Sequence, residues 1–178
     1  MKLDVGCGSS KKKDFIGIDI LDFKGVDIVH DLGTFPYPFD DNSVDEIWMD
    51  QVLEHLINPT DVLNELYRIC KNNAKITIGV PYFRSFYSCI DPTHRNFFGV
   101  YWFDYFDQTR PFAKRYNYLN VNFKIHYIEF DREIKSKPIN FFRKSLINFA
   151  EKKPYIYESK LSHFFPLDSL TFHLTAIK

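Results

Sequence analysis

The residues able to do chemistry in this chain stand just beyond its apolar runs. Gly6-Cys7-Gly8 follows Leu3-Asp4-Val5, and Asp19-Ile20 closes the run Phe15-Ile16-Gly17-Ile18. Asp31-Leu32 follows Val26-Asp27-Ile28-Val29-His30, while Asp50-Gln51 and Glu54-His55 follow Glu46-Ile47-Trp48-Met49. Tyr82 comes after the run Ala74 to Val80 and Pro81. Glycines at 6 and 8 let backbone approach a ligand where a Cβ would clash. A carboxylate at 19 can accept from both hydroxyls of a ribose, and one at 31 from an adenine amino group, with the Leu32 N–H beside the ring. A phosphate cradle fits poorly. The dinucleotide fingerprint needs a glycine where Lys11 stands and an acidic residue about 20 positions on, whereas Asp19 comes sooner. The pattern suits a nucleoside without a pyrophosphate.

A second group follows the fifth run, in Asp91-Pro92-Thr93-His94-Arg95. His94 there is a candidate general base near neutral pH, and His55 is a second. Tyr82, Arg84, Asp91 and Arg95 are candidate substrate contacts, since arginine pairs bidentately with anions. Each has a plain structural alternative: Gly6-x-Gly8 a bare turn, Asp19 and Asp31 solvated loop carboxylates, His55 packing at a helix start, His94 bonded to Asp91 in a turn. Lys11-Lys12-Lys13 reads as a solvated loop and Trp48 as core. Cys7, Cys70 and Cys89 lack metal-type spacing, so no metal site is expected and reduced thiols are.

These residues need a scaffold that brings strand ends to one edge. Apolar runs rich in β-branched residues, bounded by turn residues, predict strands at 3–5, 15–20, 26–30, 46–49 and 74–80. Asn58 as N-cap, Pro59 at the first position and Val62, Leu63, Leu66 and Ile69 at helical spacing predict a helix, ended by Lys71 and Asn72-Asn73. Beyond it are expected a short aromatic helix over 100–106, a strand over 121–130, a helix over 139–152 and a final strand over 170–177. The fold class is α/β, a Rossmann-like, doubly wound, mainly parallel sheet of about 6–7 strands, whose ligand lies beyond the carboxyl ends. Only Ser9 to Asp14 separate the first two strands, too few for a helix, so the N-terminal half is shortened.

The chain of 178 residues suits one domain. Its 23 Lys+Arg balance 23 Asp+Glu, but residues 1–80 carry 8 against 14 and residues 81–178 carry 15 against 9. Aromatic residues divide as 7 and 25. We read a cofactor-binding half at 1–80 and a substrate-facing half at 81–178. No 18-residue apolar run suggests a membrane span, and a strand at the very start leaves no room for a leader, so a cytoplasmic protein is expected. The stretch Ile139 to Phe149 has apolar residues at helical spacing plus cations. Packing on the sheet or in a homodimer is preferred there to peripheral membrane contact.

Leu3-Asp4-Val5-Gly6-Cys7-Gly8 resembles motif I of the class I S-adenosylmethionine-dependent methyltransferases. Phe35-Pro36-Tyr37-Pro38-Phe39-Asp40-Asp41-Asn42-Ser43-Val44-Asp45 is similar to the stretch LPFPDNSFD of their type 11 group, and Gln51-Val52-Leu53-Glu54-His55-Leu56 to the HVLEH segment after it. Leu66 to Lys71 resembles that group's helix end. The resemblance spans about residues 3–82, and it implies S-adenosylmethionine as cofactor. Asp4, Gly6, Cys7 and Gly8 would line its methionine end, Asp19 and Ile20 the ribose, Asp31 and Leu32 the adenine, and Asp50 and Gln51 the sulfonium and carboxylate. Ser10 stands at the third glycine of motif I, and the helix before that motif is absent. The expected activity is methyl transfer to oxygen or nitrogen of a small or carrier-linked acceptor, such as a sugar or glycan precursor. Nucleic acid is an unlikely partner, because the balanced charge lacks a basic bulk and no Asn/Asp-Pro-Pro-Tyr/Phe motif occurs. A nucleic-acid methyltransferase and a non-catalytic cofactor-binding scaffold are the rival readings.

Overall fold

The computed structural model describes residues 1–116, 118, 120–135 and 137–178. Among these residues seven strands form one sheet: β1 (Lys2–Val5), β2 (Ile16–Asp19), β3 (Ile28–Val29), β4 (Val44–Asp50), β5 (Cys70–Pro81), β6 (Phe123–Phe130) and β7 (Ser169–Ala176). Their spatial order is β3-β2-β1-β4-β5-β7-β6. The first five are parallel to one another, and β7 runs antiparallel between β5 and β6. Strand order reverses at β1, which lies between β2 and β4, and a ligand crevice is expected beyond the carboxyl ends there. Leu3, Val5, Ile18, Ile47, Met49, Ile76 and Ile78 form the buried middle of the sheet. This is the expected α/β class with the expected strand count.

Helix α1 (Pro59–Ile69) buries Val62, Leu63, Leu66 and Ile69, the residues whose spacing predicted it. Asn58 holds the N-cap position but makes no side-chain cap bond. The predicted helix end is corrected. Cys70 is already the extended C-cap, and Lys71-Asn72-Asn73 belong to β5, whose first residue pairs with Val44. Polar residues occur here inside a strand because β5 outruns the sheet body; Lys71, Asn72 and Asn73 are exposed.

The second half adds α2 (Tyr87–Ile90), a 3-10 turn at Trp102–Tyr105, α3 (Pro111–Tyr116) and α4 (Phe141–Lys152), then a π turn at Tyr157–Leu161. Asn140 caps α4 through a bond from the Arg143 N–H, 2.8 Å. That helix buries Ile147 and Ala150 and leaves Phe141 and Phe142 exposed. Among the described residues, no helix is long and apolar enough to cross a membrane.

The return from β1 to β2 has no helix, as the spacing required. Residues 6–15 make it as a chain of turns. Gly6 and Gly8 have φ of +71° and +53°, a region that costs a residue with a Cβ about 1–2 kcal/mol. A Cβ on Gly6 would lie 2.3 Å from Val52 Cγ2, whereas one on Gly8 would meet nothing within 4 Å. The buried Asp4 carboxylate accepts the Lys12 N–H at 2.6 Å and pins the middle of the return. Trp48, expected in the core, is only half-buried. It lies beside Asp4 in the sheet register, with the Lys12 ammonium 3.7 Å and the Arg132 guanidinium 4.6 Å from its ring centroid. Two cationic side chains cover the surface that a helix would otherwise cover.

Gly6→Ala is therefore expected to cost about 2–4 kcal/mol and Gly8→Ala about 1–2 kcal/mol, strain alone accounting for the second. Urea midpoints with unchanged slopes would measure the difference.

Candidate functional site

A cleft of about 620 Å³ opens beyond the carboxyl ends of β1, β2 and β4, a size common for small-ligand sites. Its walls include Gly6, Asp19, Ile20, Asp31, Leu32 and Gln51, six of the ten residues expected to bind a cofactor. Asp19 closes β2 and accepts the Gly8 N–H at 2.8 Å and the Leu21 N–H at 3.0 Å. These bonds fix its carboxylate against the glycine turn and leave its other lone pairs available. Asp31 accepts the Gly33 N–H through Oδ1 at 2.8 Å, which orients the side chain at the cleft wall. Gln51 follows β4 in the left-handed region, φ +56°, held by its N–H to the Gly79 carbonyl at 2.9 Å. Non-glycine residues in that region are sparse and gather at sites.

The other four expected cofactor residues stand outside the cleft walls. Asp4 is buried beneath the return loop, and burial raises its carboxyl pKa. Cys7 lies against Gly17, where a Cβ would come 2.7 Å from its sulfur, and burial pushes the thiol up to about 11. Gly8 N–H is spent on Asp19. Asp50 turns toward the Trp48 face, where Oδ2 accepts from Arg132 at 2.6 Å. Local sequence could not show that pairing, because the partners are 82 positions apart.

Sequence reasoning passed over Phe35, Val52, Leu56, Ile57 and Val62, which supply the apolar lining. One signal was there: Leu56-Ile57 is an apolar pair at the start of a turn, and Ile57 is 75% exposed. The loop carrying Leu32 and Phe35 is held from α1. Glu65 Oε1 accepts the Tyr37 N–H and an Arg68 N–H, both at 2.6 Å, and the Tyr37 hydroxyl donates to the Leu32 carbonyl at 2.8 Å.

The substrate-side candidates divide. Arg95 lines the cleft, and its N–H donates to the Glu54 carbonyl at 2.8 Å. Tyr82 is fully buried among Phe83, Phe130 and Tyr157, a core position rather than a cleft wall. Arg84 lies over the Phe83 ring and beside His163, away from the cleft. Asp91 caps its own turn by accepting from the N–H and the hydroxyl of Thr93.

His55 and His94, expected on separate grounds, come together, their ring centroids 4.7 Å apart. His94 Nδ1 lies 3.0 Å from the Ser88 carbonyl, which can only accept, so that nitrogen carries the proton. His55 Nδ1 lies 2.8 Å from Thr93 Oγ1, whose own hydrogen goes to Asp91 at 2.6 Å, so it too is the donor. Neutral, both rings present a bare Nε2. Nearby burial lowers the His55 pKa, which favours that neutral form. Glu54 beside them is 1% exposed, and burial pushes its carboxyl up to about 7.

A second groove, about 340 Å³, is lined by Phe83, Phe97, Gly99, Tyr101, Trp102, Tyr105 and Glu158. Arg95 lines the cleft and Phe97 this groove, so a single residue, Asn96, stands between them and their Cα atoms are roughly 7 Å apart at most.

Residues 24–78 match the model of a family described as a methyltransferase domain. A methyltransferase structure from Archaeoglobus fulgidus that depends on S-adenosylmethionine superposes with TM-score 0.58 at 21% identity, over 98% of this chain and 85% of that one. In fold the chain is like that methyltransferase, and residues 24–78 carry the signature of a methyltransferase domain. A second such structure, from Aquifex aeolicus, gives TM-score 0.54 at 13% identity, over 99% and 81%. The cyclase SpnF gives 0.57 at 16%, over 99% and 74%. That neighbour bears another reaction in its name, so the shared fold by itself does not choose an acceptor. No curated protein matches.

In this methyltransferase fold the Glu65 anchor serves the cleft. Arg68 holds the Glu65 carboxyl below its usual pKa. A depressed folded-state value contributes stability that is fully present above the unfolded value near 4.5 and is lost as pH falls from there through the lower folded value. Glu65→Gln is expected to cost about 1–3 kcal/mol at pH 7 and less below pH about 4, as read from urea midpoints across pH. An equal loss at both pH values would show that charge plays no part.

Proposed function

We propose that this chain is a methyltransferase that moves a methyl group from S-adenosylmethionine to an oxygen or nitrogen of a small or carrier-linked acceptor, a sugar or glycan precursor. The observation that carries this reading is the short join at Arg95 to Phe97 between a nucleoside-shaped cleft and an aromatic groove. The residues present fit the cofactor: a carboxylate at the end of β2, a second carboxylate in the wall and an apolar lining from Phe35, Val52, Leu56 and Val62. When bound, it supplies an electrophilic methyl on a sulfonium, and the protein supplies orientation and a water-poor surround.

Asp19 would take the ribose hydroxyls, Asp31 and the Leu32 N–H the adenine edge, and Gln51 the methionine end. Asp4, Cys7 and Asp50 support these residues from behind. On the acceptor side, Phe97, Tyr101, Trp102 and Tyr105 offer ring faces on which the apolar face of a sugar can pack. Arg95 offers a guanidinium to a phosphate or carboxylate on the acceptor. His55 and His94 stand at the join with bare Nε2 atoms, able to take the proton of the incoming nucleophile. We assign the reaction to the cytoplasm, where Cys7, Cys70 and Cys89, all unpaired, would stay reduced.

Asp19→Ala is expected to weaken S-adenosylmethionine binding at least about tenfold, which is about 1.4 kcal/mol, by calorimetry. It also frees the Gly8 and Leu21 N–H groups, so a urea midpoint is measured alongside. Unchanged affinity would refute the ribose assignment. Labelled-methyl assays on nucleotide sugars and glycolipids are expected to find the acceptor, with Trp102→Ala raising its KM about tenfold and leaving cofactor affinity alone. Activity confined to RNA would overturn the acceptor reading.

A further inference from the structure

Burying a carboxylate without a partner is costly, and Glu54 is in that position. Its side chain is 1% exposed, and neither carboxylate oxygen has a hydrogen-bond partner. His55 Nε2 is 4.0 Å from Oε1, too far for a hydrogen bond. The charged neighbours that act on it, Asp50 and Asp91, are acidic as well. The surroundings therefore attract a cation, and among the described residues Glu54, His55 and His94 have one ligand atom each within 4.8 Å of one another.

We propose that Glu54, His55 and His94 bind a divalent first-row transition-metal ion. Two imidazoles with one carboxylate suit ions from Mn²⁺ to Zn²⁺, whereas Mg²⁺ and Ca²⁺ prefer oxygen throughout. The outer contacts are those of a ligand set. Each histidine donates from Nδ1, His94 to the Ser88 carbonyl and His55 to Thr93, whose hydroxyl donates on to Asp91. Both bonds leave Nε2 as the ring nitrogen with a free lone pair, as the second shell of a metal-bound histidine does. The frame is rigid: the Arg95 and Asn96 N–H groups donate to the Glu54 carbonyl, and the Asn96 amide donates to Leu56 at 2.6 Å. A tetrahedral ion at about 2.1 Å sets ligand atoms roughly 3.4 Å apart, so the three need to close by about 1 Å or less per side chain.

Three protein ligands leave coordination positions open, and His55 and Arg95 belong to the cleft wall. Those positions would take an oxygen donor of the acceptor, a hydroxyl, carboxylate or phosphate. An Nε2 that holds the ion cannot also take a proton, so with the ion bound the histidines act on the acceptor only through it, by polarising its donor oxygen. That last step rests on the methyl-transfer reading above; binding of the ion does not.

The test is titration of the chelator-stripped full chain with Co²⁺, followed by its visible d–d absorption, with Zn²⁺ and Mn²⁺ as competitors and no cofactor present. One equivalent is expected to bind and to be displaced by Zn²⁺. Glu54→Gln and His94→Ala are each expected to weaken binding at least about tenfold and to alter the band. His94 is part-exposed, so His94→Ala remains informative should the buried Glu54→Gln variant fail to fold. No band in the folded wild type, or a band unchanged in the folded variants, overturns the site. Separate calorimetry with S-adenosylmethionine on the stripped chain reads the cofactor cleft alone, so failure of one assignment is told apart from failure of the other.

Discussion

The constraint on which the cofactor side depends is the short return from β1 to β2. Parallel neighbours ordinarily need a crossover of a dozen or more residues, usually a helix, and this chain crosses with residues 6–15. A return so short must lie flat on the sheet. Gly17 makes room for it, since a Cβ there would come 2.7 Å from both Cys7 Sγ and Lys11 Cδ. Asp4 then receives the Lys12 N–H, and Lys12 reaches Trp48. The acidic residue of the first motif is thus committed to folding the loop, while Gly6 and Asp19 are left to shape the cleft.

The cleft, the aromatic groove and the histidine pair are held by different parts of the chain. Asp19 and Gln51 stand at strand ends, where parallel pairing fixes them. The Leu32–Tyr37 wall depends on Glu65 and Arg68 of α1. His94 lies on a segment after β5, tied to the turn before α1 through the Glu54, Leu53 and Leu56 carbonyls and through the His55–Thr93 bond. That lashing brings residues some forty positions apart to one point, and it places the acceptor-side segment under the control of the same turn that ends the cleft.

Much of this was legible in the residues. Strands β1, β2 and β4 could be read because short runs rich in apolar and β-branched residues, each followed by Gly or Asp, describe the strands of a parallel sheet. Asp19, Asp31 and Gln51 could be placed because they follow such runs directly. The start of β5 was hidden, since Lys71-Asn72-Asn73 has the polarity of a helix end and becomes strand only through pairing with β4. Asp50 looked like a cleft residue by position, but alternation sends it to the Trp48 face, where Arg132 waits. Tyr82 followed a strand too, yet its neighbours are rings from β6 and the 154–161 segment. The cluster of Glu54, His55 and His94 was out of reach because no local period links positions so far apart.

The chain has two tryptophans, and the fold sends them to unlike places. Trp48 lies between Lys12 and Arg132 beside the short return, and Trp102 lines the aromatic groove. Intrinsic fluorescence therefore carries two separable signals. Emission from Trp48 tracks whether the short return is seated, and emission from Trp102 tracks what occupies the groove. Replacing either one by phenylalanine leaves an optical reporter for a single half of the molecule.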